Sequence, residues 1–330
     1  MYTKKSIIRE FKKKYKTALV TGGAGFIGSH ICEELVNNGI TTISLDNYIA
    51  GKRNNIEHLY RSPHFKEVIC DIRDKEELIK KLNGVDIIFH QAASKKTVSM
   101  ANPQKDLDIN AEGTLNLLEL ANQFKVKKFV HASTGSVYGE PVFSPQDESH
   151  PLNPVSFYGV SKLAGEKYVS FFNKVHHVNT TILRYYHVYG PRQEYNNFGG
   201  VVAIFIRNLL NGERPIIYGT GEQQRSFTYV KDVVLANLLV AVNPKARGET
   251  YNCASGIKIS IQQLNDLVID AFGKKGKVKP IYKDWVYGDI KKFDINNSKI
   301  VSIGATFTTD FKKQLLKTIK IMIKYIKNGE

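Results

Sequence analysis

The chain has 330 residues, 42% of them hydrophobic, enough to bury the core of one large domain or two coupled ones. No stretch approaches the roughly 18 apolar residues of a membrane span, and the N-terminus MYTKKSIIREFKKKYK carries charges where a secretory signal has its apolar run. Cys32, Cys70 and Cys253 are odd in number and lack metal spacing, so idle thiols in a reducing, cytoplasmic protein are expected, with neither a metal site nor a membrane partner.

The formal charge of +16 comes from 47 Lys and Arg against 31 Asp and Glu. It admits nucleic acid, acidic membrane or small anions without choosing among them. The densest basic run, Lys4 to Lys16 with Ile7, Ile8 and Phe11 interleaved, has the pattern of a short amphipathic helix. A solvated basic extension over residues 1–15 is the simpler expectation.

Thr17 to Thr21 reads as a short apolar strand, followed by a glycine turn and a helical pattern from Phe26 to about Val36. Further strands are expected at Thr42 to Leu45, Glu67 to Cys70, Val85 to His90, Lys128 to Ser133 and Thr180 to Arg184. Helices are expected near Glu76 to Leu82, Asp106 to Phe124 and Ser156 to Val175. Alternation of this kind predicts an α/β fold with a doubly wound parallel sheet covered on both faces, over residues 16–186. Beyond residue 186 glycine and proline punctuate shorter elements, with helices expected at Val201 to Leu210, Lys231 to Val242, Ser260 to Ala271 and Phe311 to Ile326. Residues 187–330 therefore read as a smaller C-terminal α/β lobe that holds the substrate and is interleaved with the first domain. A ligand is expected at the carboxyl ends of the strands.

Gly22, Gly25 and Gly28 in TGGAGFIG lie between the first strand and the first helix, where missing side chains permit a tight turn and close approach of a pyrophosphate to the helix N-terminus. Asp46 ends the second strand eighteen residues after Gly28, near the spacing of an acid that binds ribose hydroxyls and repels a 2′-phosphate. The pair points to a Rossmann-type site for NAD rather than NADP, with Lys52 and Arg53 weighing the other way.

The spacing G-x-x-G-x-x-G, the phrase LDNYIAGKRNNI, Asp71-Ile72 and HQAA at His90 to Ala93 resemble the extended short-chain dehydrogenase/reductase family. The resemblance implies a cofactor site formed by Gly22, Gly25, Phe26, Ile27, Gly28, Asp46, Asn47, Asp71, Ile72, Gln91, Ala92, Ala93, Asn110, Ser133 and Tyr185, together with Tyr158 and Lys162. Those two stand four apart in FYGVSKLAGE, on one face of a predicted helix, where an ammonium beside a phenol favours the phenolate. A free tyrosine titrates near 10, roughly, so a base at neutral pH needs that help; a tyrosine packed on a lysine stem is the bland alternative. In ASTGSVYG the resemblance places a third catalytic residue at Thr134, while Ser133 suits turn chemistry at a strand end. Together Thr134, Tyr158 and Lys162 imply oxidation of a sugar hydroxyl to a keto sugar with NAD.

The family's 4,6-dehydratases carry an Asp-Glu pair after the catalytic Thr, and its decarboxylases keep the Glu; Gly135 and Ser136 stand here instead. Without a carboxylate for elimination, returning the hydride to the other face is the simpler outcome. The resemblance thus implies an epimerase of a nucleotide-diphosphate sugar, at C4 in the default case of UDP-glucose and UDP-galactose, working as a homodimer paired through the helices of residues 106–124 and 158–175.

On the substrate side the resemblance implies Lys95, Thr134, Tyr158, His187, Gly200, Val201 and Arg225, the last in GTGEQQRSFTYVKDVV as the grip on the diphosphate. Three positions depart from the family pattern. His187 replaces an Asn, Lys95-Lys96 replaces small residues, and Val286 replaces an arginine that Lys291 or Lys292 would have to substitute. Phe293 falls at a gate that bulky aromatics narrow, against N-acetylated sugars, with core packing an equal explanation. The rivals are a dehydratase, decarboxylase or reductase of the same fold. In another class stands a non-catalytic NAD-bound scaffold or RNA-binding protein, for which charge alone speaks; no nucleic acid partner is expected.

Overall fold

The computed structural model describes residues 2–94, 96–196, 199–285 and 294–327, the side chains of 96 and 97 excepted. Lys95, Val286, Lys291, Lys292 and Phe293 lie outside the described residues.

Helix α1 (Lys4–Lys14) precedes β1 (Thr17–Thr21), α2 (Phe26–Asn37), β2 (Thr41–Asp46), β3 (Phe65–Ile69), α3 (Lys75–Leu82) and β4 (Ile87–His90). There follow α4 (Lys96–Ala101), α5 (Pro103–Leu107), a π turn at Asp108–Glu112, α6 (Gly113–Gln123), β5 (Lys128–Thr134), α7 (Phe157–His176) and β6 (Thr180–Tyr185). Beyond these come β7 (Val188–Tyr189), α8 (Val201–Leu210), β8 (Ile216–Tyr218), β9 (Gln224–Ser226), β10 (Thr228–Tyr229), α9 (Val230–Val242), β11 (Thr250–Cys253), β12 (Lys258–Ser260), α10 (Ile261–Ala271), β13 (Ile281–Lys283), α11 (Ser298–Ser302) and α12 (Phe311–Lys327).

Seven strands form one parallel sheet in the order β11-β6-β5-β4-β1-β2-β3. Its strands read as near-continuous apolar runs, as a sheet buried on both faces requires. One face packs against α1, α2 and α9 through Phe11, Ile31, Leu35, Val234 and Leu238. The other packs against α3, α6 and α7 through Leu78, Leu117, Leu120 and Val169. A separate apolar cluster of Phe205, Ile206, Leu264, Val268, Phe311 and Met322 unites α8, α10 and α12. The winding reverses between β1 and β4, which opens a crevice at their carboxyl ends.

Three expectations are corrected. The basic N-terminus is not a solvated extension: Thr3 caps α1, and Ile7, Ile8 and Phe11 are buried on the sheet, Phe11 stacking on Phe89 at 6.1 Å. The Tyr15 hydroxyl then donates to the Ala241 carbonyl at 2.7 Å. The apolar stripe that resembled a membrane or RNA helix is spent inside the protein, and the lysines ring it. Second, the helix expected over Asp106 to Phe124 starts earlier, at Pro103 behind the Asn102 cap, and is interrupted by the π turn. Third, the short strand β11 was missed, and it joins the sheet beside β6 although it lies more than sixty residues further along the chain. Among the described residues no helix is long and apolar enough to cross a membrane.

Replacing Phe11 with Ala should cost about 3–5 kcal/mol, whereas Lys12→Ala should be nearly neutral. Urea denaturation of the two variants checks this, and equal effects would contradict a docked α1.

Candidate active site

The turn after β1 is shaped by two glycines. Gly22 has φ +65°, and a Cβ there would lie 2.8 Å from the Ala92 amide nitrogen, beyond β4. A Cβ on Gly28, in the first turn of α2, would lie 2.1 Å from the Gly22 carbonyl. The helix N-terminus and its free amides are thereby brought against the crevice. Asp46 closes the next side: its carboxylate is buried and accepts from Ala24 N at 3.0 Å and Tyr48 N at 2.9 Å. Burial pushes its pKa up against those hydrogen bonds and a further backbone one from Asn47. Gly51 leaves open the space in front of it, since a Cβ there would lie 2.7 Å from the carboxylate.

Asp71 is held by the Arg73 guanidinium at 3.0 and 2.8 Å and by Asn47 Nδ2 at 2.8 Å. The arginine pulls its pKa down to about 2. Asp71 and Asn47 line a cleft of about 870 Å³ with Gly22, Gly25, Phe26, Ile27, Gly28, Asp46, Ile72, Gln91, Ala92, Ala93, Ser133, Tyr158, Lys162, Tyr185 and Gly200. The cradle of missing Cβ atoms, the helix N-terminus and the buried carboxylate fit a dinucleotide, and the site is large enough for a second ligand beside it.

At the far end α7 leans over the end of β5. Ser156 caps α7, its hydroxyl accepting from Gly159 N at 3.2 Å. Tyr158 and Lys162 follow one turn apart, facing the cleft. Thr134 ends β5, and its hydroxyl accepts from Ser136 N at 3.2 Å and is hydrogen-bonded with Tyr158. Burial first, then Asp106, pushes Tyr158 up to about 12, and the Thr134 hydrogen bond opposes them. Burial pulls Lys162 down to about 8, against the carboxylates Glu166 and Asp106. Lys162 Nζ lies 3.4 Å from His131 Nε2. The expectation that Lys162 favours the phenolate thus meets a larger opposing effect, the loss of water around both groups.

Glu166, a further turn along α7, forms a buried ion pair with Arg184 of β6 at 2.9 and 2.6 Å and accepts from the Ser133 hydroxyl at 2.5 Å. Helix α7 and strands β5 and β6 are locked in register by this contact.

The geometry places the chemistry where an alcohol could be oxidised beside a bound dinucleotide, and the comparisons with known proteins agree. Residues 18–254 match the model of the NAD dependent epimerase/dehydratase family. The chain belongs to that family. It is 41% identical over 315 residues to a putative UDP-glucose 4-epimerase of Methanocaldococcus jannaschii, covering 94% of this chain and 98% of the relative. The crystal structure of UDP-glucose 4-epimerase with UDP-glucose from Thermotoga maritima superposes with a TM-score of 0.88 at 35% identity, over 94% of this chain and 99% of the other. The Thermus thermophilus UDP-glucose 4-epimerase complex with NAD superposes with a TM-score of 0.83 at 33% identity, over 93% and 98%.

Within this family member, five expected site residues lie outside the cleft lining. Asn110 is turned away, its amide spent on Asp106 and Ser161 and its carbonyl on Ser94 N. Thr134, half-buried at the end of β5, is not among the lining residues. The His187 ring packs edge-on against Phe227 at 5.9 Å, on backbone with φ 35°. Val201 begins α8 and packs on that lobe's core. Arg225, in β9, is buried and donates to the Gln224 carbonyl at 2.9 Å. Conversely Ser94, Lys105, Gln193 and Glu194 line the cleft and were not foreseen. Gln193 follows the Gly-Pro-Arg of RYYHVYGPRQ, and that turn was the available signal.

Because burial lowers the Lys162 titration below its unfolded value, the stabilities of the wild type and of Lys162→Met should depend differently on pH. The sign follows from proton binding: between about 8 and the unfolded value near 10, roughly, the unfolded chain binds the extra proton, so the wild type gains stability with rising pH and the variant does not. Chemical denaturation of both proteins across that window checks it.

Proposed function

We propose that this chain is an NAD-dependent epimerase of a nucleotide-diphosphate sugar, acting at C4 of a UDP-hexose, with Thr134, Tyr158 and Lys162 as its catalytic residues. The observation that carries this reading is the meeting of Tyr158 and Thr134 near Lys162 at the end of a dinucleotide cleft, with Gly135 and Ser136 where an elimination acid would stand. A Cβ on Gly135 would lie 2.2 Å from the Tyr186 ring, and Ser136 donates its amide to Thr134. The position that carries an Asp in the family's dehydratases is therefore closed by Tyr186.

NAD, when bound, supplies reversible acceptance of the C4 hydride. Tyr158 takes the C4 hydroxyl proton as the 4-keto sugar forms and returns it when the sugar is reduced on its other face, so protons and electrons balance to zero. Thr134 holds the Tyr158 hydroxyl and the reacting oxygen, and the Lys162 ammonium favours the transient phenolate. Asp46 orients the adenosine ribose, and the turn from Gly22 to Gly28 holds the pyrophosphate. The lysine-rich surface favours capture of a doubly anionic diphosphate. The similarity to enzymes whose names specify UDP-glucose supports the sugar.

Incubation with NAD and UDP-galactose, followed by proton NMR of the anomeric region, should yield UDP-glucose without net NADH. Tyr158→Phe should reduce the rate roughly 10²–10⁴-fold. A 6-deoxy keto product, a pentose or no product would reject the epimerase.

We also propose that two copies pair through α7 and that the protein is cytoplasmic. Phe157, Val160, Tyr168, Phe171 and Val175 are exposed along α7 in two groups, each spaced by three or four residues and two turns apart, and Leu107 of α5 is exposed as well. The three free, buried cysteines suit a reducing compartment. Phe171→Asp should convert a dimer to a monomer in sedimentation equilibrium without unfolding it, and an unchanged mass would count against this face.

A further inference from the structure

Asp106 is fully buried in α5, just before the π turn. Its Oδ1 accepts from Asn110 Nδ2 at 3.0 Å and from the Ser94 hydroxyl, and its Oδ2 accepts from the Ser161 hydroxyl at 2.5 Å. Asn110 closes the ring, donating to Ser161 Oγ at 2.9 Å and accepting from Ser94 N at 2.9 Å. One carboxylate thus ties together the loop after β4, the π turn, and α7 at the residue between Tyr158 and Lys162. Among the described residues every donor to it is neutral, and a dry carboxylate without a cation on its oxygens is expensive to keep.

We propose that Asp106 is a positioning residue for the reaction: through Ser161 its carboxylate sets the direction in which Tyr158 and Lys162 leave α7, and with Glu166 it is one of two buried negative charges near the Lys162 ammonium. This rests on the reading that Tyr158 and Lys162 handle the substrate proton.

Two carboxylates act on Lys162, Glu166 with the larger effect and Asp106 with the smaller. Glu166, on α7 itself, is already bound in bidentate fashion by Arg184 of β6. His131 of β5 touches Lys162, and His90 of β4 stands behind it with ring centroids 5.2 Å apart. Burial holds both imidazoles neutral, their pKa values well below the ordinary one. Tyr158 is faced by Asp106 and Thr134. Asp106 therefore acts on both catalytic side chains in the same direction, favouring the protonated form of each. It retains the lysine cation at the expense of a harder ionisation of the tyrosine. Asn110 reaches back to Asp106 one turn earlier, across the start of the π turn.

The test uses the full-length protein labelled with ¹³Cε-lysine, the Lys162 resonance being identified by its loss in Lys162→Met. In the isosteric Asp106→Asn the Lys162 titration should move to lower pH by about one unit. Its kcat should fall roughly 10- to 100-fold with KM for the UDP-sugar unchanged, and the alkaline limb of kcat should move with the titration. Ser161→Ala, which leaves the carboxylate in place, should lower kcat yet titrate as the wild type does. An unmoved titration in Asp106→Asn, or an equal shift in Ser161→Ala, overturns the proposal. Should Asp106→Asn fail to fold, Asp106→Glu must keep the wild-type titration while losing kcat, and a shifted titration or full activity overturns it. If wild-type protein turns over no nucleotide sugar, the epimerase reading fails, and the NMR titration still decides the role of Asp106.

Discussion

The site depends on one close approach: the turn leaving β1 lies against the chain leaving β4 with no side chain between them. A Cβ on Gly22 would lie 2.8 Å from the Ala92 nitrogen, so the contact exists only because glycine stands there, in a backbone conformation that other residues resist. From that contact the remaining cofactor geometry follows. Asp46 pins the end of β2 to the same turn through Ala24 N, and Lys52 N and Asn55 Nδ2 both donate to the Ala24 carbonyl, at 3.0 and 2.8 Å. The floor of the cleft is one hydrogen-bonded unit, with its ligand-facing amides arranged before any ligand arrives.

The opposite wall is organised by charge rather than by absent side chains. Two buried carboxylates fix α7, its own Glu166 paired with Arg184 and Asp106 of α5 among hydroxyls and an amide. Such groups are poor sources of stability, because desolvation offsets much of the attraction. What they specify is register: Glu166 also takes the Ser133 hydroxyl, next to Thr134, so the helix bearing Tyr158 and the strand bearing Thr134 share one anchor. The same dryness pushes Tyr158 up to about 12 and Lys162 down to about 8. Proton transfer here is set by competition between burial and a small number of fixed charges.

The net charge of +16 has a divided meaning. In α1 the lysines surround an apolar stripe that is part of the sheet's own packing, with Phe11 fully buried against Phe89. A local pattern of apolar and basic residues cannot say whether its partner is a membrane, a nucleic acid or the same chain. That partner, the sheet and α9, lies up to 230 residues away, as the Lys14 Nζ bond to the Val242 carbonyl illustrates.

The sequence alone determined what depends on local spacing. The glycine turn, the terminal Asp46, the Tyr158–Lys162 pair on one helical face and the alternation of strands and helices are all encoded within a few residues of each other, and side-chain periodicity makes them legible. Only the tertiary structure decided what depends on distant segments meeting. It placed β11 beside β6, turned Asn110 away from the cleft and into the Asp106 network, buried Arg225 outside the lining, and closed the space at Gly135 with Tyr186. The physical reason is the same in each case: a side chain's direction and hydration are set by neighbours supplied by packing, and packing brings together residues whose separation along the chain carries no periodic signal.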